Sequence, residues 1–306
     1  MKKSYTTDGL GPLQVIPTAL RQLRSLADQK RRLPELVNSS VAALRRFQKS
    51  VTEMTGMSLH DLDVLEIGHG QSQLAIAYVA SLGNCATGID LDAVPEGLFD
   101  VAGYVRTIRA NGLMRAAKTW VRDVSGLNRS LRREFVRQLG LAGWPSYRAL
   151  VADAANTGFP AACFDFLYSF HVFEHVADPD GVLREVARLV RPGGGFWFRF
   201  PHYAHYNALH DLRWITQAPN PPLPWAHLVE SERHTVQQGA FVNTLRIADW
   251  RALFERCFPG VVFRQENLDG DRFAVALQEL RGRGLLREFT DEELLTDDLI
   301  VAWRCP

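Results

Sequence analysis

The fold of this chain is decided by the stretch Asp63-Val64-Leu65-Glu66-Ile67-Gly68-His69-Gly70-Gln71-Ser72. Its apolar residues predict a short buried strand, its glycines predict a tight turn, and residues 74–82 predict a helix. This order leaves bare backbone N–H groups at a helix N-terminus, where glycine lets a ligand approach closely. An acid, Asp90, ends the next apolar run. An acid at that point can accept hydrogen bonds from both hydroxyls of an adenosine ribose.

Two kinds of adenosine ligand fit such a turn. A dinucleotide site needs a third glycine at the sixth position of G-x-G-x-x-G, where this chain has Gln73. Glu66, ahead of the first glycine, would also repel a diphosphate. S-adenosylmethionine has no phosphate, and its positive ammonium and sulfonium groups suit an acid in that place. From these residues alone, a glycine turn in an unrelated α/β protein also remains open.

Strands and helices alternate along the rest of the chain. Strands are predicted at 63–67, 85–90, 147–154, 164–170, 196–200, 261–263 and 299–303. Helices are predicted at 178–190 and 244–258, and Arg191-Pro192-Gly193-Gly194-Gly195 is predicted to break the chain sharply before the fifth strand. This alternation is typical of a parallel, doubly wound α/β sheet.

Five motifs in this order resemble those of class I S-adenosylmethionine-dependent methyltransferases. They cover residues 60–200 and are Glu66-x-Gly68-x-Gly70, Asp153-Ala154, Phe164-Asp165, His171-x-x-Glu174-His175 and Leu189-x-Arg191-Pro192-Gly193-Gly194. The resemblance implies a seven-stranded Rossmann-like sheet with an antiparallel last strand, and methyl transfer from S-adenosyl-L-methionine. Ser72, where the family usually has a third small glycine, is a mild departure from the pattern.

The resemblance also implies which residues line the cofactor. Asp90 would hold the ribose, and Asp153 would lie near the adenine amine. The other candidates are neighbours of these residues at the strand ends: Glu66, Gly68, His69, Gly70, Leu91, Ala154, Ser169 and His171.

The chain is predicted to have a helical extension followed by one domain. Residues 1–60 form the N-terminal helical extension, and residues 61–306 form the methyltransferase domain with insertions at about 92–147 and 201–243. Insertions of this length with their own structure commonly carry substrate or partner contacts. The extension is basic and amphipathic, so contact with a membrane surface, capping of a substrate pocket and packing on the domain all remain open for it.

Composition and charge narrow the class of protein. Hydrophobic residues make up 46% and charged residues 23% of the chain, and no apolar run approaches the ~20 residues that span a bilayer. The start of the chain lacks the apolar core of a signal peptide, and the four cysteines form no C-x-x-C pair, so we expect a cytoplasmic protein.

Positive charge is concentrated in two regions of the chain. Residues 1–50 hold ten Lys and Arg against three acids, and residues 101–150 hold ten against two. This excess of positive charge favours binding to an anionic acceptor or surface. The alternative is that these residues simply lie on helix faces exposed to solvent.

Histidines that follow the fourth and fifth strands are the candidates for a general base. Methyl transfer needs aligned reactants, and an alcohol acceptor benefits from a neutral imidazole that takes its proton. We predict His202 as the base, with His205 and His175 as the further candidates. His171 and His175 lie four residues apart, a spacing that can bind zinc, but the Glu-His pair matches the family motif instead. No metal site is predicted.

These patterns predict methyl transfer to an oxygen of a small molecule, such as a sugar or secondary-metabolite hydroxyl. An RNA or protein methyltransferase that docks through the basic regions is the alternative, and a non-catalytic S-adenosylmethionine-binding module is an alternative of another class. Asn220-Pro221-Pro222-Leu223 resembles the tetrad of nucleic-acid amino methyltransferases. It follows the wrong strand and ends in leucine, so a nucleic-acid acceptor is disfavoured. The oligomeric state is left open.

Overall fold

A computed structural model describes residues 30–92, 95, 100–111, 116, 119–120, 123–215, 220–267 and 270–306. The chain divides into two compact units, residues 1–153 and residues 154–306.

The first unit contains three parallel strands in the order β3-β2-β1. Its elements, in chain order, are α1 (Leu33–Thr55), β1 (Asp63–Ile67), α2 (Leu74–Ser81), β2 (Cys85–Asp90), α3 (Val101–Asn111), α4 (Leu127–Leu139) and β3 (Arg148–Val151). Strand β1 is buried from its second residue onward, which explains why every residue after Asp63 except Glu66 is apolar.

Helix α1 belongs to the predicted N-terminal extension. Pro34 lies at its first turn, and Gly56 ends it in the left-handed conformation with its N–H bonded to Thr52 O. One face is buried, as the three- to four-residue spacing of its apolar residues predicts, and α1 packs against α4. The part of the extension before residue 30 lies outside the described residues, and the predicted domain boundary at residue 60 stays a prediction.

The second unit contains four strands in the order β4-β5-β7-β6. Its elements are β4 (Phe164–Phe170), α5 (Pro179–Leu189), β5 (Val190–Phe200), α6 (Leu212–Ile215), α7 (Ile247–Cys257), β6 (Val262–Glu266), α8 (Gly270–Gly282), α9 (Asp291–Leu295) and β7 (Asp298–Arg304). Strands β4 and β5 are parallel, whereas β7 runs antiparallel to both β5 and β6. A cluster of buried rings fills its core and includes Phe173, Phe196, Phe198, Phe200, Trp250 and Phe254.

The fold prediction is confirmed, with one local correction. The seven strands and the antiparallel final strand are those of the predicted α/β methyltransferase fold. The fifth strand, however, begins at Val190, not at Phe196, because Val190 pairs with Phe164 before a register shift leads to the pairing of Phe166 with Gly195. The glycines therefore form an irregularity inside the strand and do not precede it.

Among the described helices, none combines the length and the apolar character that crossing a bilayer requires.

Candidate active site

The glycine turn after β1 is fixed by hydrogen bonds to β2. The N–H of Gly68 donates to the carbonyl of Ile89 at 2.7 Å, and the N–H of Gly70 donates to Oδ2 of Asp90 at 3.0 Å. Both glycines have positive φ angles, 80° and 58°, which glycine adopts without steric cost. A Cβ on Gly70 would meet nothing within 4 Å, so there is open space beside this turn.

Asp90 joins the turn to the end of β2. Its Oδ1 accepts from the N–H of Asp92 at 2.9 Å, while its Oδ2 accepts from Gly70. A carboxylate offers about four lone pairs, so each oxygen retains one for a further donor. Together with the open space beside Gly70, this acceptor capacity fits the two ribose hydroxyls of S-adenosylmethionine.

Gly88 in β2 allows the turn to pack closely. A Cβ there would lie 2.8 Å from Cδ1 of Ile76 and 3.0 Å from Cβ of His69, so only glycine lets α2 and the turn approach this strand. His69 is buried, and its Nδ1 lies 2.9 Å from the carbonyl oxygen of Gly70. The predicted cofactor residue His69 is thus part of the structure of the turn.

Gln73, which stands where a dinucleotide site has its third glycine, is the centre of a polar cluster. It is buried with a φ of 54°, and its Oε1 accepts from Tyr147 Oη at 2.8 Å and from Arg132 Nη2 at 3.3 Å. Trp144 donates to Tyr147 and lies under the Arg132 guanidinium. Burial raises the pKa of Tyr147, which remains a donor. The 92–147 insertion therefore anchors the end of the glycine turn.

The remaining predicted cofactor residues are placed as follows. In the first unit, Glu66 is 3% exposed at the end of β1, and Leu91 and Asp153 are exposed beyond β2 and β3. In the second unit, Ser169 is fully buried in β4, and Ala154 is half-buried. Their roles toward the cofactor stay predictions.

His202, the predicted base, is buried with both ring nitrogens occupied. Its Nε2 donates to the carbonyl of Thr296 at 3.2 Å, and its Nδ1 accepts from the N–H of Ala204 at 3.2 Å. The residue is 1% exposed, and burial lowers its pKa to about 4. Neither nitrogen is available to a substrate proton, so this geometry argues against the predicted role.

His205 is occupied in a similar way. Its Nδ1 accepts from the N–H of Asn207 at 3.3 Å, and its Nε2 lies 3.4 Å from Oδ1 of Asp297. Its ring also packs against Tyr206, with centroids 4.3 Å apart. These contacts are those of a residue that holds the 201–243 insertion together.

His171 has an accessible ring and an acidic neighbour. Its Nδ1 lies 3.8 Å from Oδ1 of Asp298, and its side chain is 51% exposed. Asp298 is itself buried and accepts from Nε of Arg199 at 2.7 Å. Burial lowers the pKa of His171, while Asp298 opposes this shift, so the ring is neutral near pH 7.

Glu174, His175 and His210 form a second cluster. Their potential ligand atoms all lie within 4.8 Å of one another. Glu174 is 1% exposed, and burial raises its pKa to about 8. His175, the third predicted base, has Nδ1 at 2.6 Å from the carbonyl oxygen of Phe241, which leaves its Nε2 as the acceptor.

The segment 239–243 holds this cluster in place. Asn243 donates its backbone N–H to the carbonyl of Glu174 at 2.8 Å and its side-chain amide to the carbonyl of Phe173 at 2.7 Å. Gly239 lies so close to His210 that a Cβ would be 2.3 Å from the His210 carbonyl oxygen. Asp298, Asn243 and Gly239 carry no motif, which is why the sequence patterns do not single them out.

A family model described as a methyltransferase domain matches residues 103–198. Residues 103–198 carry a methyltransferase domain. The matched range includes β3, β4, α5 and β5 and begins after the glycine turn. The predicted enzyme class, cofactor and fold family are confirmed.

Known proteins resemble parts of this methyltransferase. Sterol 24-C-methyltransferase of Eremothecium gossypii is 33% identical over 82 residues, which are 26% of this chain and 21% of that protein. The chain therefore spans about a fifth of the length of this curated relative. Phosphoethanolamine N-methyltransferase 2 of Haemonchus contortus, solved with S-adenosyl-L-methionine, is 15% identical with a TM-score of 0.46 and covers 85% of this chain and 52% of its own. A methyltransferase of Mesorhizobium loti is 15% identical with a TM-score of 0.44 and covers 84% of this chain and 96% of its own.

Proposed function

We propose that this methyltransferase transfers the methyl group to a hydroxyl oxygen of a small-molecule acceptor. The observation that carries the proposal is the His171–Asp298 pair, in which Nδ1 lies 3.8 Å from a buried carboxylate and the ring is half exposed. Among the described residues, none makes a hydrogen bond to His171 Nε2. An imidazole with a carboxylate near one nitrogen and its other nitrogen accessible has the composition of a general base.

His171 would remove the proton of the acceptor hydroxyl. The negative charge of Asp298 favours the tautomer with the proton on Nδ1, so the lone pair of the neutral ring is on Nε2, and that atom takes the proton as the oxygen attacks. S-adenosylmethionine supplies an electrophilic methyl group on a sulfonium. The new bond joins the acceptor oxygen to the methyl carbon, and the carbon–sulfur bond breaks with its electron pair left on sulfur.

The glycine turn would bind the cofactor. Asp90 accepts from the ribose hydroxyls, the open space beside Gly70 admits the nucleoside, and Glu66 favours the positive end of the ligand. Asp153 and Ala154 join the proposed set on the strength of the family motif that they match. Leu91, His69 and Ser169 join it as neighbours of the motif residues at the strand ends.

The acceptor class rests on two observations. The curated relative is a methyltransferase that its name assigns to a sterol, a small molecule. That name also assigns a carbon atom, so the choice of oxygen rests on the His171–Asp298 pair alone. The ten Lys and Arg against two acids in residues 101–150 favour an acceptor that carries negative charge.

Incubation with S-adenosylmethionine and a panel of hydroxylated small molecules tests the function. Sugars, phenols, sterols and their phosphorylated forms make up the panel, and mass spectrometry detects the gain of one methyl group. The methyl resonance in a carbon-13 NMR spectrum identifies the atom that received it. An O-methyl product that Asp90→Ala fails to form supports the proposal. A product methylated on carbon or nitrogen would contradict the oxygen assignment, and the absence of transfer to every class would contradict the small-molecule acceptor.

A further inference from the structure

The cluster of Glu174, His175 and His210 has the chemistry of a metal centre. We propose that these three residues bind a divalent transition-metal ion, with Zn²⁺ as the cation that tests it. Two imidazole nitrogens and one carboxylate oxygen are a ligand set that zinc and non-haem iron sites use, with further coordination positions left open. Their ligand atoms lie within 4.8 Å of one another, a separation that a single ion at ~2.0–2.2 Å from each can bridge after small side-chain rotations.

Glu174 provides the first independent argument. It is 1% exposed, and within the described part of the chain neither of its carboxylate oxygens has a hydrogen-bond partner. A buried polar group without a partner is costly, and a buried carboxylate especially so. A cation between Glu174 and the two histidines would give this carboxylate a partner.

His175 is oriented as metal-bound histidines are. Its Nδ1 lies 2.6 Å from the carbonyl oxygen of Phe241, to which it donates, and its Nε2 lies 3.6 Å from Oε1 of Glu174. A backbone carbonyl that accepts from one ring nitrogen fixes the tautomer and leaves the other nitrogen as a ligand. The segment 239–243 therefore acts as an outer support for the site.

His210 reaches the cluster from the 201–243 insertion. Its Nε2 is buried and has no hydrogen-bond partner among the described residues, and its ring centroid lies 4.9 Å from that of His175. Its φ of 53° is uncommon for a residue with a side chain, and such strain concentrates at functional sites. The close approach of Gly239 to the His210 carbonyl holds this conformation.

Three protein ligands leave a fourth position for water or for an oxygen of the acceptor. The side chain of His175 is 30% exposed, so the cluster is open to solvent on one side. If the proposed transfer to a hydroxyl is correct, the ion would lower the pKa of that hydroxyl beside the base. The metal site itself does not depend on this use, and its test does not require an acceptor.

Metal content measures the site directly. Untagged protein is dialysed against a chelator and then against Zn²⁺, and elemental analysis gives the bound metal per chain. We expect one equivalent for the wild type, and an affinity at least about 100-fold lower for Glu174→Gln and for His210→Ala, since even supporting residues of such sites contribute 10- to 100-fold. His234→Ala is the matched control, because it removes an exposed histidine of the same insertion.

Cobalt gives a second readout that surface binding does not mimic. Co²⁺ at a site of low coordination number has strong visible absorption, which His210→Ala should abolish and His234→Ala should preserve. Circular dichroism of each variant checks that it is folded. If Glu174→Gln does not fold, the half-buried His210 decides the question. Zinc binding that is weak, or that is equal in the wild type and in His210→Ala, would overturn the proposal.

Discussion

The backbone N–H of Gly70 donates a hydrogen bond to Oδ2 of Asp90 across 3.0 Å. The carboxylate therefore fixes the glycine turn from one side and remains an acceptor for a ligand on the other. Asp90→Ala should lower the affinity for S-adenosylmethionine about tenfold to a hundredfold, because hydrogen bonds to a charged group contribute roughly 1.5–3 kcal/mol. Isothermal calorimetry measures this change.

Asp90→Asn is the control for that experiment. The amide oxygen can still accept from one backbone N–H, so the turn is retained while the charge is lost. Its affinity should lie between those of the wild type and Asp90→Ala. An affinity of Asp90→Ala equal to that of the wild type would remove the ribose assignment.

His171 and His202 should respond differently to removal of the ring. His171→Ala should lower kcat by roughly 10²–10⁴, the usual contribution of a general base, with cofactor affinity little changed. His202→Ala should keep kcat in the folded protein but lower the free energy of unfolding by at least ~2 kcal/mol, because two buried hydrogen bonds of ~1 kcal/mol each are lost. Steady-state kinetics and urea unfolding separate the two effects. A large loss of kcat in folded His202→Ala, with normal kcat in His171→Ala, would restore His202 as the base.

Gly193 and Gly194 offer a matched test of the irregularity in β5. Gly193 has a φ of 79° and open space around its Cβ position, so Gly193→Ala should cost only the ~1–2 kcal/mol of a left-handed conformation. Gly193→Asn should cost less, since asparagine tolerates that region. A Cβ at Gly194 would lie 2.5 Å from the carbonyl oxygen of Asp165, so alanine and asparagine there should both cost up to ~3 kcal/mol. Urea unfolding measures all four variants, and equal costs at the two sites would contradict the steric argument.

Two buried histidines, His202 and His227, should each make the protein less stable in acid. Burial lowers the pKa of His202 and of His227 from 6.5 to about 4 in the folded protein. Between these values the unfolded chain binds more protons than the folded one, so the stabilisation is complete above pH 6.5 and is lost as the pH falls toward 4. Each group contributes a slope of about 1.4 kcal/mol per pH unit. Urea unfolding at several pH values measures the slope, and His227→Gln should reduce it.

Tyr147→Phe tests the anchor of the glycine turn. The variant removes the hydrogen bond to Gln73 but keeps the ring, so the free energy of unfolding should fall by ~1 kcal/mol. Cofactor affinity should fall as well, because Gln73 begins α2 directly after the turn. Gln138→Ala is a control in the same insertion, since Gln138 bonds to Glu134 and Pro34 instead. A loss of stability without a loss of affinity would limit the anchor to a structural role.

The sequence predicts the parts of this fold that are determined by residues close to one another along the chain. Strands β1, β2 and β4 and the turn at Gly68 and Gly70 follow from local apolar runs and from glycine. The start of β5 does not follow from local sequence. Val190 pairs with Phe164 on the neighbouring strand, whereas the glycines at 193–195 suggest that the strand begins only after them. At this point the pairing between strands outweighs the tendency of the glycines to form a turn.

The candidate site is less predictable, since distant segments decide the state of each side chain. His202 follows β5 as expected. Its Nε2, however, is hydrogen-bonded to the carbonyl of Thr296, which is 94 residues away. His171 becomes a base candidate only through Asp298 at the start of the last strand. Gln73 shows the same dependence, because its partner Tyr147 is 74 residues distant.

The segment 239–243 has a consequence for how the protein becomes active during folding. Phe241 and Asn243 reach back 66 and 70 residues to the turn after β4. Closing a loop of that length costs chain entropy, so these contacts should form after the local pairing of β4, α5 and β5. We therefore expect these contacts to form late, and the histidines to reach their final orientation only when they do. Activity would therefore appear after the secondary structure of this region, not with it.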